Sequence, residues 1–472
     1  MSHQDRTSKI VVNHQTIKQV VDQLLPARLF IGMKVRHGSL WKPRLLAVAA
    51  LLWACSDLST LKERFHHARK IVNRIFRWEK PVGETWQGFI KMLRKWHDEL
   101  MRAVVVNLRQ QMEENSPGHW TIGGYTVFAG DGSRREMART RRIERAYSAT
   151  KKRKKARKRK GKNRGRAKIS AKKRTQSADS VKKKANTPQM WLTLLWHVGT
   201  GLPWAWKTGP SDSSERAHVQ EMLGELPENS LITADAGFVG YDFWKDILNS
   251  EHHFVARVGG NVSLLKNLGY ARQHEHTVYL WPDCIAKKNQ EPLVLRLIVI
   301  HDGRQPVYLV TDLTRSQLSD RQGAELYAKR WGIELFFRTL KQTFGRSKLR
   351  SHSPETARLE ADWSLLAVWC VCLLGQKELL ASGNSPTQLS PATAIRAFQA
   401  TLRDWRVRPE TVDENLWRSL RNAILDDYNR TSKKASRDYP RKKKRERITA
   451  PKINNATRQQ IADAKQLTAN KT

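Results

Sequence analysis

The sequence predicts a mixed α/β protein, and three observations carry that prediction. Between residues 12 and 115, apolar side chains recur at spacings of three and four, the repeat of amphipathic helices. From Tyr125 the chain changes to short apolar runs punctuated by glycine-rich turns, the texture of strands. A long helical pattern then runs from about Asp320 to Phe344. At roughly 150 residues per domain, 472 residues suggest about three domains. With 39% hydrophobic residues and 17 Trp, the chain can build a sizeable core, which excludes wholesale disorder.

In the helical module, Thr60 and Glu63 have capping-box spacing, and Pro81 with Gly83 separates that helix from one beginning near Glu84. Arg64, Arg69, Lys70, Arg74 and Arg77 alternate with apolar positions there and suit a DNA backbone as well as a solvated face. The apolar runs Leu45 to Cys55 and Leu365 to Leu374 fall short of the roughly 20 residues that cross a bilayer and read as buried helices. Tyr125 to Ala129 reads as a short strand ending at Gly130-Asp131-Gly132-Ser133. Met190 to Val198 and Pro203 to Lys207 follow as strands around the turn Gly199-Thr200-Gly201. Ser213 or Ser214 caps a helix through Leu223, and Leu231 to Ala234 is a buried strand delivering Asp235. A short helix around Trp244, a strand at Phe254 to Val258 and a β-leaning stretch from about 260 to 312 precede the long helix, which Ser319 and Gln322 cap.

The charge narrows the function. Against 44 acids stand 86 Lys and Arg, a formal +42, which points to a polyanionic partner, most simply nucleic acid. Lys151 to Arg174 alone holds 16 Lys or Arg in 24 positions and no acid, so it reads as a disordered loop; without it the chain keeps +26. Arg441 to Arg447 is a second basic cluster. Cys55, Cys284, Cys370 and Cys372 have neither disulfide-scaffold nor zinc-finger spacing, and a reducing compartment is expected. Met1 to Lys9 is polar and leads into no hydrophobic signal core.

Asp131 and Asp235 each follow an apolar strand, and two carboxylates at the ends of adjacent strands suit a hard, oxygen-ligated cation. On an uninterrupted helix, Tyr327, Arg330, Glu334 and Lys341 lie within an arc of about 60°. This stripe presents one metal ligand between two cations on a helix otherwise apolar at Leu326, Ile333, Leu335, Phe336, Phe337 and Leu340. Such a helix should be largely buried, with its charged stripe facing a cleft. Arg330 and Glu334 also fit a simple i, i+4 ion pair.

Taken together, Asp131-Gly132-Ser133, Asp235-Ala236-Gly237-Phe238 and the Tyr327/Arg330/Glu334/Lys341 spacing resemble the bacterial insertion-sequence transposases of the DDE class, in the branch named for its Tyr-Arg-Glu-Lys signature. The resemblance covers about residues 120 to 350. It implies a ribonuclease-H-like catalytic core with a β-rich insertion, in which Asp131, Asp235 and Glu334 bind two Mg²⁺ ions, with Mn²⁺ able to substitute. Tyr327, Arg330 and Lys341 would hold phosphates near the transposon end. The long basic loop is a departure from the family pattern.

The expected organisation is a helical N-terminal DNA-binding domain over 1–118, the ribonuclease-H-like domain over 119–350, a helical region over 351–430, and a basic, disordered tail over 431–472. The catalytic domain would include a basic loop at 134–186 and an insertion at about 260–312. The expected activity is metal-dependent cleavage and strand transfer of insertion-sequence ends, cut-and-paste, by a homodimer on double-stranded DNA. The protein would be cytoplasmic and nucleoid-associated when bound. The helices at Ser390 to Leu402 and Leu416 to Tyr428 are candidates for the dimer contact. The alternatives are a transposase-derived DNA-binding protein without catalysis and a nuclease without strand transfer. Lower-ranked candidates are His66-His67, His252-His253 and Asp312 as ligands, each better read as structural, and Trp281 as a base-stacking residue.

Overall fold

The computed structural model describes residues 17–149, 187–271, 273–301, 306–407 and 449–469. The basic run Lys151 to Arg174, the cluster Arg441 to Arg447 and the expected helix Leu416 to Tyr428 lie outside these residues. The N-terminal module comprises α1 (Ile17–Leu24), α2 (Pro43–Cys55), α3 (Leu61–Ile75) and α4 (Trp86–Glu114), followed by the single-turn α5 (Pro117–Trp120). Every residue of α2 except Arg44 is buried, so this helix forms the centre of the module. Thr60 and Glu63 form the reciprocal capping box at the start of α3.

Ten strands form one sheet in the order β10-β6-β7-β8-β9-β5-β4-β1-β2-β3. They are β1 (Thr126–Glu136), β2 (Gln189–His197), β3 (Leu202–Gly209), β4 (Ser230–Ala234), β5 (His253–Val258), β6 (Ser263–Lys266), β7 (Thr277–Leu280), β8 (Leu293–Ile300), β9 (Val307–Thr311) and β10 (Lys452–Asn455). At the centre, β1, β4 and β5 are parallel, while β2 and β3 add antiparallel strands on one side. The stretch expected as an insertion supplies β6 to β9, which join the same sheet through β5.

The helices cover the sheet from both faces. After β1 comes α6 (Arg141–Tyr147), then α7 (Glu215–Met222), α8 (Tyr241–Asn249), the single-turn α9 (Asp283–Ala286), α10 (Asp320–Lys329), α11 (Gly332–Arg338), α12 (Pro354–Ala381) and α13 (Pro391–Val407). Side chains alternate across a strand, so Gly130 and Gly132 of β1 point one way and Ala129 and Asp131 the other. A Cβ at Gly130 would meet Val219 of α7, which places α7 on the first face. Ala129 pairs with Trp196 of β2, whose indole packs on Gly332, so α11 lies on the face of Asp131.

The module and the sheet share one core. Arg346, fully buried, donates to the carbonyls of Phe344 (2.9 Å) and Ser56 (3.1 Å) and to Ser364 Oγ (3.3 Å). It thereby ties the end of α2 to α12. Among the described residues, α12 is the one helix long and apolar enough to cross a membrane, yet 78% of its apolar window is buried within the protein.

Four expectations need correction. β1 does not stop at Gly130; it continues to Glu136, and α6 follows, so ordered structure occupies the first part of the span expected as a loop. The C-terminal tail is not uniformly without structure, because β10 pairs in parallel with β6 and a helix follows at Arg458–Ala469. The helix from Asp320 to Phe344 is interrupted at Arg330 and Trp331 and ends in a π-turn at Thr339–Thr343. It is also less buried than expected, with Trp331 and Leu335 about half exposed.

Candidate active site

The site begins with strand register. β1 and β4 pair in parallel from Thr126↔Ser230 to Ala129↔Thr233. Continuing that register by two residues sets Asp131 opposite Asp235, on the same face. β1 keeps its partner β2 through this stretch, with Asp131 opposite Leu194, but loses β4 after Ala129. An edge therefore opens where the first carboxylate stands, at the carboxyl end of β4, the place where open α/β sheets bind ligands. Each aspartate is anchored by a local amide: Gly132 N–H donates to Asp131 Oδ1 and Gly237 N–H to Asp235 Oδ1, both at 2.8 Å.

Glu334 arrives on α11. Around the interruption, Ile333 N–H donates to Arg330 O (3.2 Å) and Glu334 N–H to Trp331 O (3.1 Å), tighter i→i−3 bonds than an α-helix makes. Gly332 permits the approach, because a Cβ there would lie 2.0 Å from the Trp196 indole. Arg330, 4% exposed, donates from Nη2 to Glu334 Oε1 at 3.1 Å and lies 5.4 Å from the centre of the buried Tyr327 ring. Its Nε is buried with no hydrogen-bond partner. Lys341 lies in the π-turn, where Phe344 N–H donates to Thr339 O at 2.9 Å, and it feels the charge of Asp131.

The electrostatics show that these groups share one environment. Burial, with the neighbouring carboxylates of Asp235 and Glu334, pushes Asp131 up to about 6, against the lowering effects of the Gly132 amide and Arg330. Burial works to lower Arg330, but Tyr327, Glu334 and Asp235 outweigh it and hold the guanidinium more firmly charged. Burial and the nearby Arg135 lower Lys341, while Asp131 opposes them. Thus Asp131, Asp235 and Glu334 are brought together with Tyr327, Arg330 and Lys341 on one side of the sheet.

Among the described residues, no group of three or more His, Cys, Asp or Glu side chains is arranged to hold a metal ion. The three carboxylates are coupled without forming a closed coordination shell; Arg330 engages one oxygen of Glu334, and amides engage one oxygen of each aspartate. Their chemistry nonetheless fits a divalent ion, since hard carboxylate oxygens suit Mg²⁺, and the neighbouring carboxylates that add to burial in raising Asp131 are negative charge a dication would neutralise.

A fourth carboxylate belongs to this environment and was not anticipated. Glu215, in the first turn of α7, packs over Gly132, where a Cβ would lie 2.5 Å from its Oε1. Burial, Asp131 and Asp235 push Glu215 up to about 7, with Arg134 opposing. The sequence signal was the glycine beside Asp131, which leaves room for a group from the opposite face. An acid directly after the capping Ser214, however, reads as ordinary helix capping.

Other candidates resolve as structural. Asp312 accepts from His253 Nδ1 (2.6 Å) and Phe254 N–H (3.0 Å), fixing the start of β5. His252 is buried, with Nε2 3.2 Å from Leu223 O. Trp281 is 3% exposed and donates to Gln290 O (2.7 Å), so it packs in the core and cannot stack on a base. Of the α3 cations, Arg64 is buried against Leu58 O (2.7 Å) and Arg69 pairs with Glu84, which removes both from a DNA-facing surface.

The comparison with known families decides the assignment: residues 123–370, more than half of the chain, match the Transposase DDE domain. The chain belongs to the DDE transposase family. It is 25% identical over 193 residues to transposase InsG for insertion sequence element IS4 of Escherichia coli (strain K12). That match covers 39% of this chain and 43% of InsG, so less than half of the relative's length is spanned. A cryo-EM structure of the piggyBac transposase synaptic complex with hairpin DNA aligns over 89% of this chain and 87% of its own, with TM-score 0.37 and 12% identity. The matched transposase segment contains Asp131, Glu215, Asp235 and Glu334 and leaves α1 to α4 outside it.

Proposed function

We propose that this DDE transposase cleaves the ends of its insertion sequence and joins them to target DNA, with Asp131, Asp235 and Glu334 as the catalytic carboxylates. The observation that carries the reading is the coupling of Asp131 to both Asp235 and Glu334, three acids from distant parts of the chain. The mixed sheet, with Asp131 on β1 and Asp235 directly beyond the end of its parallel neighbour β4, supports a ribonuclease-H-like core. The Tyr327/Arg330/Glu334/Lys341 constellation supports the Tyr-Arg-Glu-Lys branch.

The three carboxylates would hold two Mg²⁺ ions, or Mn²⁺ in their place, which supply activation of the attacking oxygen and stabilisation of the leaving oxygen in phosphoryl transfer. Arg330 orients Glu334 through Nη2 and holds positive charge among the carboxylates. Lys341 adds a second positive charge beside Asp131. The interrupted helix keeps Glu334 near the sheet, since Gly332 packs directly on Trp196. Double-stranded transposon-end and target DNA are the substrates, cut-and-paste is the pathway, and a DNA-bound homodimer in the cytoplasm is the working form. The domain scheme of an N-terminal DNA-binding module, a catalytic domain and a C-terminal helical region belongs to the same proposal.

The test is to incubate the protein with an end-containing duplex, with and without Mg²⁺ or Mn²⁺, and to size the products. Cleavage and strand transfer of 3′-hydroxyl ends are expected only with metal. Asp131→Ala, Asp235→Ala and Glu334→Ala should each abolish both while leaving DNA binding largely intact. Full cleavage by any one of them refutes the assignment, and cleavage without transfer by the unaltered protein leaves a nuclease.

A further inference from the structure

Away from the carboxylates, a groove of about 1290 Å³ lies between the N-terminal helices and the sheet. Four chain segments form it: the start of α3, the first turns of α4, Ala138 and Arg139 just beyond β1, and the link from Lys348 into α12. Its lining contains seven Lys or Arg and no Asp or Glu. Arg139 pairs with Glu144 at 3.0 Å, and Arg94 donates to the Ser353 and Thr356 hydroxyls while its charge is felt by Glu355. Lys62, Lys91, Lys95, Lys348 and Arg350 have no carboxylate within ion-pair distance among the described residues. Like charges gathered around one concavity repel one another, and a polyanion relieves that repulsion.

The floor gives the ligand its shape. Leu61, Trp86, Ile90 and Leu349 line the base of the groove, so it offers apolar surface below and cations at the rim, complementary to sugars and phosphates respectively. One wall of the groove is tied to the strand that carries Asp131. Glu136 N–H donates to Ser347 O (3.0 Å) and Leu349 N–H to Glu136 O (2.9 Å), clamping the groove wall to the end of β1. From Asp131 to Glu136, five residues of extended strand at about 3.3 Å each span about 17 Å. At about 3.4 Å per base pair, that is the length of about five base pairs.

We propose that this groove holds the sugar–phosphate backbone of one DNA strand about five base pairs from the phosphodiester that is cut. The inference rests on the transposase reading for the position of the cut, but the groove's affinity for DNA is measured separately from cleavage. The contact is to phosphates, so it acts alike on end-containing and random duplexes, and it sets the register of the DNA rather than reading its sequence.

The experiment uses the full-length Lys91→Ala/Lys95→Ala/Arg350→Ala variant, whose altered side chains are all exposed. Binding is measured by fluorescence anisotropy against salt, on both duplexes. Losing three phosphate contacts should lower the salt slope by about 2.7, at about 0.9 per contact, equivalent to about a 40-fold narrowing of the wild-type advantage between 50 and 200 mM salt. Phosphate-ethylation interference on the end duplex should show a contact about five base pairs from the cut that the variant loses. Lys287→Ala/Lys288→Ala, which removes two exposed charges beyond α9, should leave slope and contact unchanged. If the triple variant melts like the parent yet keeps the slope, or keeps the interference contact, or if the Lys287/Lys288 control loses as much per charge, the groove proposal is overturned. Should the triple variant melt differently, the charge-reversed Lys62→Glu/Lys91→Glu protein is read by the same criteria. A wild-type protein that binds with the expected slope but never cuts the end leaves the groove standing and removes the catalytic reading.

Discussion

Asp131 should limit the stability of the metal-free protein. Its carboxyl ordinarily titrates near 3.8, and burial beside Asp235 and Glu334 pushes it up to about 6. Ionisation is therefore harder in the folded chain than in the unfolded one. The penalty is absent below the unfolded value, grows as pH rises from about 4 to about 6, and is then fully present. At about 1.4 kcal/mol per pH unit, the difference costs about 3 kcal/mol at pH 8 and roughly half of that at pH 5. Asp131→Asn keeps an oxygen for the Gly132 amide and removes the charge. In EDTA, urea unfolding should find this variant more stable than the parent by about 3 kcal/mol at pH 8, with about half the advantage at pH 5. Saturating Mg²⁺ should close the gap, because an ion bound only by the folded parent stabilises it by mass action. A variant no more stable than the parent at pH 8, or an advantage that does not change with pH, would show that negative charge is not crowded at this site.

Three further outcomes follow from neighbouring residues. Asp131→Asn removes one of the charges that raise Glu215, so the Glu215 titration should move downwards from about 7 when followed by carboxyl NMR; an unmoved titration would separate Glu215 from the site. Gly332→Ala drives a Cβ toward the Trp196 indole and should cost about 1–3 kcal/mol by overpacking and reduce end cleavage, with Trp196→Leu in the same chain restoring part of both. Stability and cleavage unaffected by the single change would remove Gly332 as the residue that sets the approach of Glu334. Arg330→Ala should slow cleavage and lower the salt slope of end binding by about 0.9, so an unchanged slope would leave Arg330 as a support for Glu334 alone.

The local grammar of the chain was largely readable. The capping boxes at Thr60/Glu63 and Ser319/Gln322 formed as spaced, because each depends on four consecutive residues. β8, Leu293 to Ile300, falls within the stretch from about 260 to 312 that leans to strand. Asp131, Asp235 and Glu334 stood out as candidates at strand ends and by helix spacing, and the family match spans all three positions. Less legible were features made by contacts between distant segments. Asp131-Gly132-Ser133 has the composition of a turn, yet β2 supplies a ladder partner for each residue and keeps it extended. The interruption before Glu334 coincides with the packing of Gly332 on Trp196, about 136 positions earlier.

Composition and short-range pattern thus determined a basic, mixed α/β protein and singled out Asp131, Asp235 and Glu334 as candidate acids, because charge, periodicity and capping are properties of neighbouring residues. Tertiary structure alone decided that Glu215 enters from the opposite face over Gly132 and that β10 closes the sheet beside β6. It also assembled one cation-lined groove from α3, α4, the end of β1 and the approach to α12. Each of these requires backbone segments far apart in the chain to meet, and their proximity is fixed by burial of a common core rather than by any local spacing.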